Sequence, residues 1–383
     1  EIICGVTGTN GKTSTVDFLY QIWTLLEINA ARIGTLGVKS KEFNFETKNT
    51  TPDPINLHKI MNDLSLSGVS HLALEVSSHA IDQYRVNSID FNSACFTNLS
   101  LDHLDYHNSL ENYSNVKFSL FKNILPMDRA SVICTESKEG KDFSKALKLL
   151  NKKTMEIGKN SEFINIESVK KYDSGNEVEI TFQGEPFKFI LGFAPYFQIL
   201  NILCAAGLAI VSGCNYKEVF SVLEKIEPVK GRYEIIKLNN YSNIIIDYAH
   251  TPEALSCVLR DIKKEGIGKV VIVFGCGGGR DQLKRPLMGR VAEKYCDEII
   301  ITNDNPRDED PSLIADQILK GCPKARVILD RAEAIKCGIS KIKNNDVLLI
   351  AGKGHEETQI IGNHINPFSD RDVIRNFCEA SNE

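Results

Sequence analysis

At 383 residues, with 42% apolar and 25% charged residues, the chain is long enough to bury a sizeable core and to divide into two domains. A net charge of -5 and scattered lysines leave no broad basic field for a nucleic-acid backbone. The most apolar stretch, 197–214, is interrupted by Gln198, Asn201, Gly207, Ser212 and Gly213, which predicts a buried helix rather than a membrane span. The eleven cysteines form no CxxC pair and fit reduced thiols in a cytoplasm, not disulfides or a zinc site.

Glu1 leads directly into an apolar run, Ile2–Val6, as though the chain began mid-protein, so a preceding domain is expected. The run ends at a Gly-rich loop, after which Val16, Leu19, Tyr20, Trp23 and Leu26 recur at helical spacing. Further apolar runs at 72–76, 93–96 and 130–134 alternate with helical stretches such as 112–121, the rhythm of an α/β domain with a mostly parallel sheet. Residues 159–192 change character: alternating runs at 178–182 and 187–191, split by Gly and Asn, predict an antiparallel patch before the apolar helix. Near 227–232 the pattern restarts, and runs at 270–274, 298–302, 326–329 and 347–351 predict a second, Rossmann-like α/β unit. The expected domains are 1–230 and 231–383. No repeat period or low-complexity segment stands out, and a monomer is expected.

The loop Thr7-Gly8-Thr9-Asn10-Gly11-Lys12-Thr13-Ser14 lies between the first strand and its helix. There, exposed backbone N–H groups and the helix dipole can cradle polyphosphate. Lys12 is placed to neutralise phosphate charge and Thr13 to ligate magnesium. The strict G-x-x-x-x-G-K-[ST] pattern is not met, because Val6 stands where the first glycine belongs, and Gly-rich turns before helices are common. Magnesium favours oxygen ligands, and Glu75, at the end of an apolar strand, has the placement of one. Asp102-His103-Leu104-Asp105-Tyr106-His107 offers imidazoles and carboxylates close together. Its spacing alone fits a zinc site or a plain polar loop equally.

Four motifs, 5–14, Glu75-Val-Ser-Ser-His79, Leu101–His107 and Asp247-Tyr-Ala-His-Thr-Pro252, occur in the order that resembles the Mur ligases of peptidoglycan synthesis. The resemblance covers essentially the whole chain and lacks the family's amino-terminal UDP-binding domain. It implies that Thr13 and Glu75 hold one magnesium ion, and that His103 and a carbamylated Lys117 place a second, with Lys12, Lys117 and His103 as catalytic residues. From sequence alone Lys117 reads as a solvated helix lysine. The resemblance also implies that Gly8, Thr9, Asn10, Gly11, Lys12, Thr13, Ser14, Asn201, Arg232 and Asp247 bind ATP, held between two domains whose closure completes the site. Asn49, Thr50, Thr51, Ser77, Gln83 and Arg85 are implied to grip the UDP-N-acetylmuramoyl dipeptide, although 49–52 by itself reads as an ordinary turn. Gln198 stands where relatives carry asparagine, so no role is carried over to it.

Gly277–Asp281, Asp304-Asn305-Pro306-Arg307 and Gly352–Glu356 each follow an apolar strand of the second unit and are expected to converge on one pocket. Arg280, Asp304, Asn305, Pro306, Arg307, Gly352 and Glu356 are its expected lining. meso-Diaminopimelate differs from lysine by a second carboxylate, which an arginine fork can hold bidentately. Lysine would leave a buried Arg307 unpaired, at a cost of roughly several kcal/mol; the alternative is a surface charge flanking a helix. Within the family, Asp-Asn-Pro-Arg at this place accompanies the diaminopimelate-adding enzymes. The resemblance thus implies an ATP-dependent ligase that activates a carboxylate as an acyl phosphate. The alternatives are a lysine-adding member, a folylpolyglutamate- or cyanophycin-type ligase, or a non-catalytic P-loop module.

Overall fold

The first strand, β1 (Ile2–Thr7), is buried towards its carboxyl end and runs between two parallel neighbours, β5 (His71–Glu75) and β6 (Ser93–Phe96). Strands covered by helices on both faces must be apolar throughout, which is why these segments read as continuous runs rather than alternating ones. This computed structural model describes residues 1–172, 175–192, 194–238, 241–264, 268–343 and 345–380. The chain forms two compact units, Glu1–Glu227 and Pro228–Glu383.

In the first unit the sheet continues from β5 to β2 (Ala30–Gly34), β3 (Gly37–Lys39) and β4 (Asn44–Phe45). On the other side of β1 it continues from β6 to β7 (Ala130–Cys134), β8 (Thr154–Gly158), β9 (Ile164–Tyr172), β10 (Gly175–Phe182) and β11 (Glu185–Leu191). Pairing is parallel from β2 through β9 and antiparallel at both ends. The expected antiparallel patch is therefore an extension of the main sheet.

Helix α1 (Lys12–Leu25) follows β1, α2 (Pro54–Leu66) crosses to β5, and α3 (Ser78–Asp82) follows β5. α4 (Leu104–His107) and α5 (Leu110–Ser119) lie between β6 and β7, and α6 (Lys138–Leu149) links β7 to β8. The apolar stretch forms α7 (Tyr196–Val211), which packs on α1 and buries Ile199, Ile202, Leu203 and Leu208 completely; α8 (Tyr216–Val222) follows. Each such side chain contributes roughly 1.5–3 kcal/mol on leaving water. Caps mark the helix starts: Asp53 accepts from Asn56 N before Pro54 opens α2, and Ser109 accepts from Asn112 N at α5. α5 runs into a π-helical turn, Leu120–Ile124, a local widening that often accompanies functional residues.

The second unit has a sheet ordered β12 (Glu234–Leu238), β13 (Tyr241–Asp247), β17 (Val347–Ala351), β14 (Val270–Phe274), β15 (Glu298–Ile301) and β16 (Arg326–Val327). All pairs are parallel except β12–β13. Its helices are α9 (Pro252–Lys264), α10 (Lys284–Tyr295), α11 (Pro311–Leu319), α12 (Arg331–Lys341) and α13 (Asp370–Ala380). A separate hairpin, β18 (Thr358–Ile361) and β19 (His364–Pro367), follows β17. Among the described residues no helix is long and apolar enough to cross a membrane.

Candidate active site

The turn from β1 into α1 is held from the side by the segment that leaves β6. Thr9 N donates to Asn98 O at 2.9 Å and Asn10 N to Asn98 Oδ1 at 2.9 Å, while Thr97 Oγ1 donates to Asn10 O at 2.6 Å. Ser100 N donates to Thr9 Oγ1 at 2.9 Å. Gly11, the residue before α1, has φ 85°, and a Cβ there would lie 2.4 Å from Asn201 Oδ1. Asn201 on α7 thus touches the phosphate loop, and its Nδ2 donates to Gln198 Oε1 at 2.9 Å. Gln198 is buried and positions Asn201. Lys12 Nζ donates to Gly8 O and Thr9 O at 2.9 and 2.8 Å, at the mouth of the loop, and Ser14 is buried in the first turn of α1.

Glu75, 1% exposed, lies beside Thr13: Thr13 Oγ1 donates to Glu75 Oε2 at 3.1 Å. Thr35 adds its N–H to Oε1 at 2.8 Å and its hydroxyl to Oε2 at 3.1 Å. Two cis oxygens on an octahedral magnesium with bonds of about 2.1 Å lie about 3.0 Å apart, so the Thr13–Glu75 pair has the spacing of two ligands of one ion. The close approach depends on Gly34, where a Cβ would meet Glu75 Oε1 at 2.2 Å.

Lys117 corrects the reading of a solvated helix lysine: it is 1% exposed. Its Nζ donates to Gly8 O at 2.9 Å and lies 4.4 Å from the centre of the Tyr113 ring. Desolvation, helped by the charge of Lys12, pushes its pKa well below the usual lysine range, against the pull of Asp102. Tyr113, also buried, bonds to Thr9, and desolvation raises its phenol. His103 has φ 52° at the start of α4. Desolvation first, then the charges of Lys12, His79 and Lys117, lower its imidazole to about 4 against the opposing pull of Asp102. His107 is buried against Ser78 Oγ at 2.9 Å. Among the described residues no group of three or more His, Cys, Asp or Glu gathers as a metal cluster. The side chain of Asp105 lies outside the described residues.

The next group also comes together. Thr51 Oγ1 donates to Glu75 O at 2.8 Å and accepts from Ser77 N at 3.1 Å. Arg85 Nη1 donates to Thr51 O at 2.8 Å, and its Nε to Gln83 Oε1 at 3.0 Å. Thr50 pairs its hydroxyl with that of Thr35 at 3.0 Å. The 49–52 turn is therefore anchored under the end of β5 rather than free; Asn49 at its tip is exposed.

In the second unit Asp247 is buried at the end of β13 and accepts from Tyr233 N at 2.6 Å and Ala249 N at 2.7 Å. Desolvation raises its carboxyl, against the charge of Arg232 and these two donors. The Arg232 guanidinium lies 4.1 Å over the Tyr248 ring. The three loops after β14, β15 and β17 converge as expected: Arg307 Nη1 donates to Gly278 O at 2.7 Å, and Asn305 Nδ2 to Glu356 Oε2 at 2.8 Å. Lys353, 0% exposed, donates to Asn305 Oδ1 and Glu356 Oε2 at 3.1 and 3.0 Å. Asp304 Oδ1 accepts from Asn305 N at 2.7 Å, Pro306 is buried, and a Cβ on Gly352 would lie 2.7 Å from Asp304 Oδ2. One detail differs from expectation: Arg307 is half-buried rather than buried, and its φ of 52° places it in a loop bridged to Ile361. Arg280 is exposed.

A scan against family models matches residues 6–209 to the Mur ligase middle domain and residues 231–354 to the Mur ligase, glutamate ligase domain. The chain belongs to the Mur ligase family. Among curated Mur ligases it is 39% identical over 376 residues to UDP-N-acetylmuramoyl-L-alanyl-D-glutamate--2,6-diaminopimelate ligase of Rhizobium meliloti (strain 1021), spanning 98% of this chain and 77% of that protein. It is 40% identical over 381 residues to the protein of the same name from Rickettsia montanensis, spanning 97% and 79%. A solved structure of a ligase of that name superposes with a TM-score of 0.68 at 30% identity, over 100% of this chain and 79% of that one. A Mycobacterium tuberculosis folylpolyglutamate synthase superposes with a TM-score of 0.73 over 92% of this chain and 88% of that one, but at 15% identity the likeness is one of fold alone.

Several residues of this Mur ligase that organise the site escape a reading of the sequence. Thr97, Asn98 and Thr35 buttress the loop and Glu75; the only cue is a polar Thr-Asn run straight after a buried strand. The β18–β19 hairpin holds the Arg307 loop through Arg307 N to Ile360 O at 3.1 Å and Gly362 N to Arg307 O at 2.7 Å. The signal that could have found it is the turn pair Gly362-Asn363 between two short runs containing isoleucine. Arg285, fully buried, donates to Glu309 Oε2 at 2.8 Å and Gly277 O at 3.1 Å. Arg331 and Asp370, on separate helices, carry no local signal at all.

Proposed function

We propose that this chain adds meso-diaminopimelate to UDP-N-acetylmuramoyl-L-alanyl-D-glutamate at the expense of ATP, in the building of peptidoglycan precursors. The observation that carries the reading is the convergence of Asp304–Arg307 with the Gly277–Arg280 and Gly352–Glu356 loops, which sets the Arg307 guanidinium among polar groups at the carboxyl end of a parallel sheet. The names of the relatives support it. Residues 1–230 are read as the ATP-binding domain and residues 231–383 as the amino-acid-binding domain.

In this reading the amides of 8–13 and the Lys12 ammonium receive the polyphosphate, and Arg232 and Asp247 are the second unit's nucleotide contacts. Thr51, Ser77, Gln83 and Arg85 hold the acceptor so that its free glutamate carboxylate faces the γ-phosphorus. A carboxylate oxygen attacks that phosphorus and ADP leaves; the diaminopimelate amine then attacks the acyl carbon, loses a proton, and phosphate departs as the amide forms. Alignment and charge neutralisation are the main requirements of the first step. Thr13 and Glu75 would hold one magnesium ion, with His103 and Lys117 near a second, and magnesium would supply neutralisation of the phosphate oxygens. The buried Lys117 amine, whose hold on its proton is weakened by desolvation, is suited to take up carbon dioxide as a carbamate with release of a proton. Free thiols at the eleven cysteines suit a reducing cytoplasm.

The test is phosphate release with ATP, magnesium and the UDP-muramoyl dipeptide, comparing meso-diaminopimelate, lysine and no amino acid, alongside Arg307→Ala. Release with diaminopimelate alone, lost in Arg307→Ala, is expected. Equal release with lysine would reject the assigned amino acid while keeping a ligase. Release independent of the acceptor would reject the ligase itself.

A further inference from the structure

We propose that Tyr84 is a binding platform for the sugar ring of the acceptor, a role that rests on the function proposed above and deepens it. α3 ends in a Schellman turn: Tyr84 N donates to Ile81 O at 3.1 Å and Arg85 N to Ala80 O at 2.8 Å. The residue between cap and exit in such a turn adopts the left-handed conformation that glycine takes without strain, and here that residue is tyrosine, with φ 56°. Bulky side chains are rare in this region, and such outliers concentrate where a site needs them. Burial does not offset the strain, because Tyr84 is 73% exposed.

The flanking residues are fixed. Arg85 donates to Thr51 O at 2.8 Å and to Gln83 Oε1 at 3.0 Å, and Gln83 Nε2 donates to the Tyr106 hydroxyl at 3.2 Å. The phenol therefore stands in water on a rigid base, directly between two residues assigned to the acceptor. Tyrosine offers a large amphipathic face at a small cost in side-chain entropy. The cationic and hydroxyl groups of Arg85, Thr51 and Ser77 suit the carboxylate and amide end of the acceptor. An aromatic face beside them suits its one cyclic group with apolar C–H faces at that end, the muramoyl ring, through stacking of the phenol ring alone.

Steady-state kinetics and thermal unfolding of the full chain as Tyr84→Gly and Tyr84→Phe decide the matter. Tyr84→Gly is expected to raise KM for the UDP-muramoyl dipeptide roughly tenfold, the effect of losing one aromatic contact, with KM for ATP and for diaminopimelate unchanged. Relief of backbone strain should raise its Tm by roughly 2–4 °C. Tyr84→Phe should keep the acceptor KM near that of the parent. An unchanged acceptor KM in an active Tyr84→Gly protein overturns the platform and leaves the ligase reading standing. A rise in all three KM values overturns it too, since that marks a general distortion. Absence of acceptor-dependent turnover in the parent chain overturns the ligase reading and this inference with it.

Discussion

Replacing Arg331 with methionine should destabilise the second unit more than any change at its surface. Arg331 Nε and Nη2 donate to the two oxygens of Asp370 at 2.7 Å each, and both side chains are 0% exposed. The same guanidinium donates to Asn303 O at 3.3 Å and Ala351 O at 3.2 Å, the carbonyls that precede Asp304 and Gly352. Arg331→Met leaves a buried carboxylate and two carbonyls without their donor, and truncating one partner of such a pair costs roughly 3–5 kcal/mol. For a domain of this size each kcal/mol lowers Tm by about 2–4 °C, so the unfolding transition of this unit should fall by roughly 6–20 °C. Removing both charges in Arg331→Met/Asp370→Leu should restore most of that loss, because nothing charged is left buried. The restored protein should still bind diaminopimelate less well, because the strand-end carbonyls have lost the group that aimed them. Calorimetry of the three proteins with amino-acid KM values provides the assay. A single variant that loses less than about 1 kcal/mol, or a double variant no more stable than the single, would refute the reasoning.

Lys117 makes stability depend on pH. The unfolded chain keeps this proton up to the ordinary lysine value of 10.5, whereas the native state releases it well below that value. Between the two values the unfolded state binds more protons, so stability rises with pH there, and the full penalty applies below the native value. In CO2-free buffer the parent should gain stability relative to Lys117→Met as pH climbs towards 10.5; urea unfolding that gives a constant difference would contradict this. Gly34→Ala would set a Cβ 2.2 Å from Glu75 Oε1 and push the carboxylate off Thr13. Turnover should fall roughly 10–100-fold and recover in part at high magnesium, read from a magnesium titration of phosphate release.

The fold was legible in the sequence wherever one local pattern decides the structure. The buried runs of β1, β5, β14 and β17 had no alternating polar face, and the antiparallel patch showed its period of two. The phosphate loop was legible because strand, glycines, lysine and threonine are contiguous. Lys117 was not: nothing in Tyr113–Lys117 distinguishes a solvated lysine from one driven into the core, since its burial is set by a loop 109 residues away. Arg331 and Asp370 share the difficulty, being 39 residues apart. Arg307 does lie in a loop after an apolar strand, but half-buried instead of buried, because periodicity says which strand end a residue follows and not how far its side chain is covered.

The hairpin joining β10 and β11 turns at Gln183 and Gly184, both exposed, with φ of 51° and 82°. Six strand spacings separate β11 from β1, roughly 25–30 Å across a twisted sheet. A fluorophore or affinity handle attached at Gln183 would therefore ride on the same rigid sheet as the phosphate loop without touching it. That tip offers a fixed reference point from which movements of the nucleotide or of the second unit can be ranged in solution.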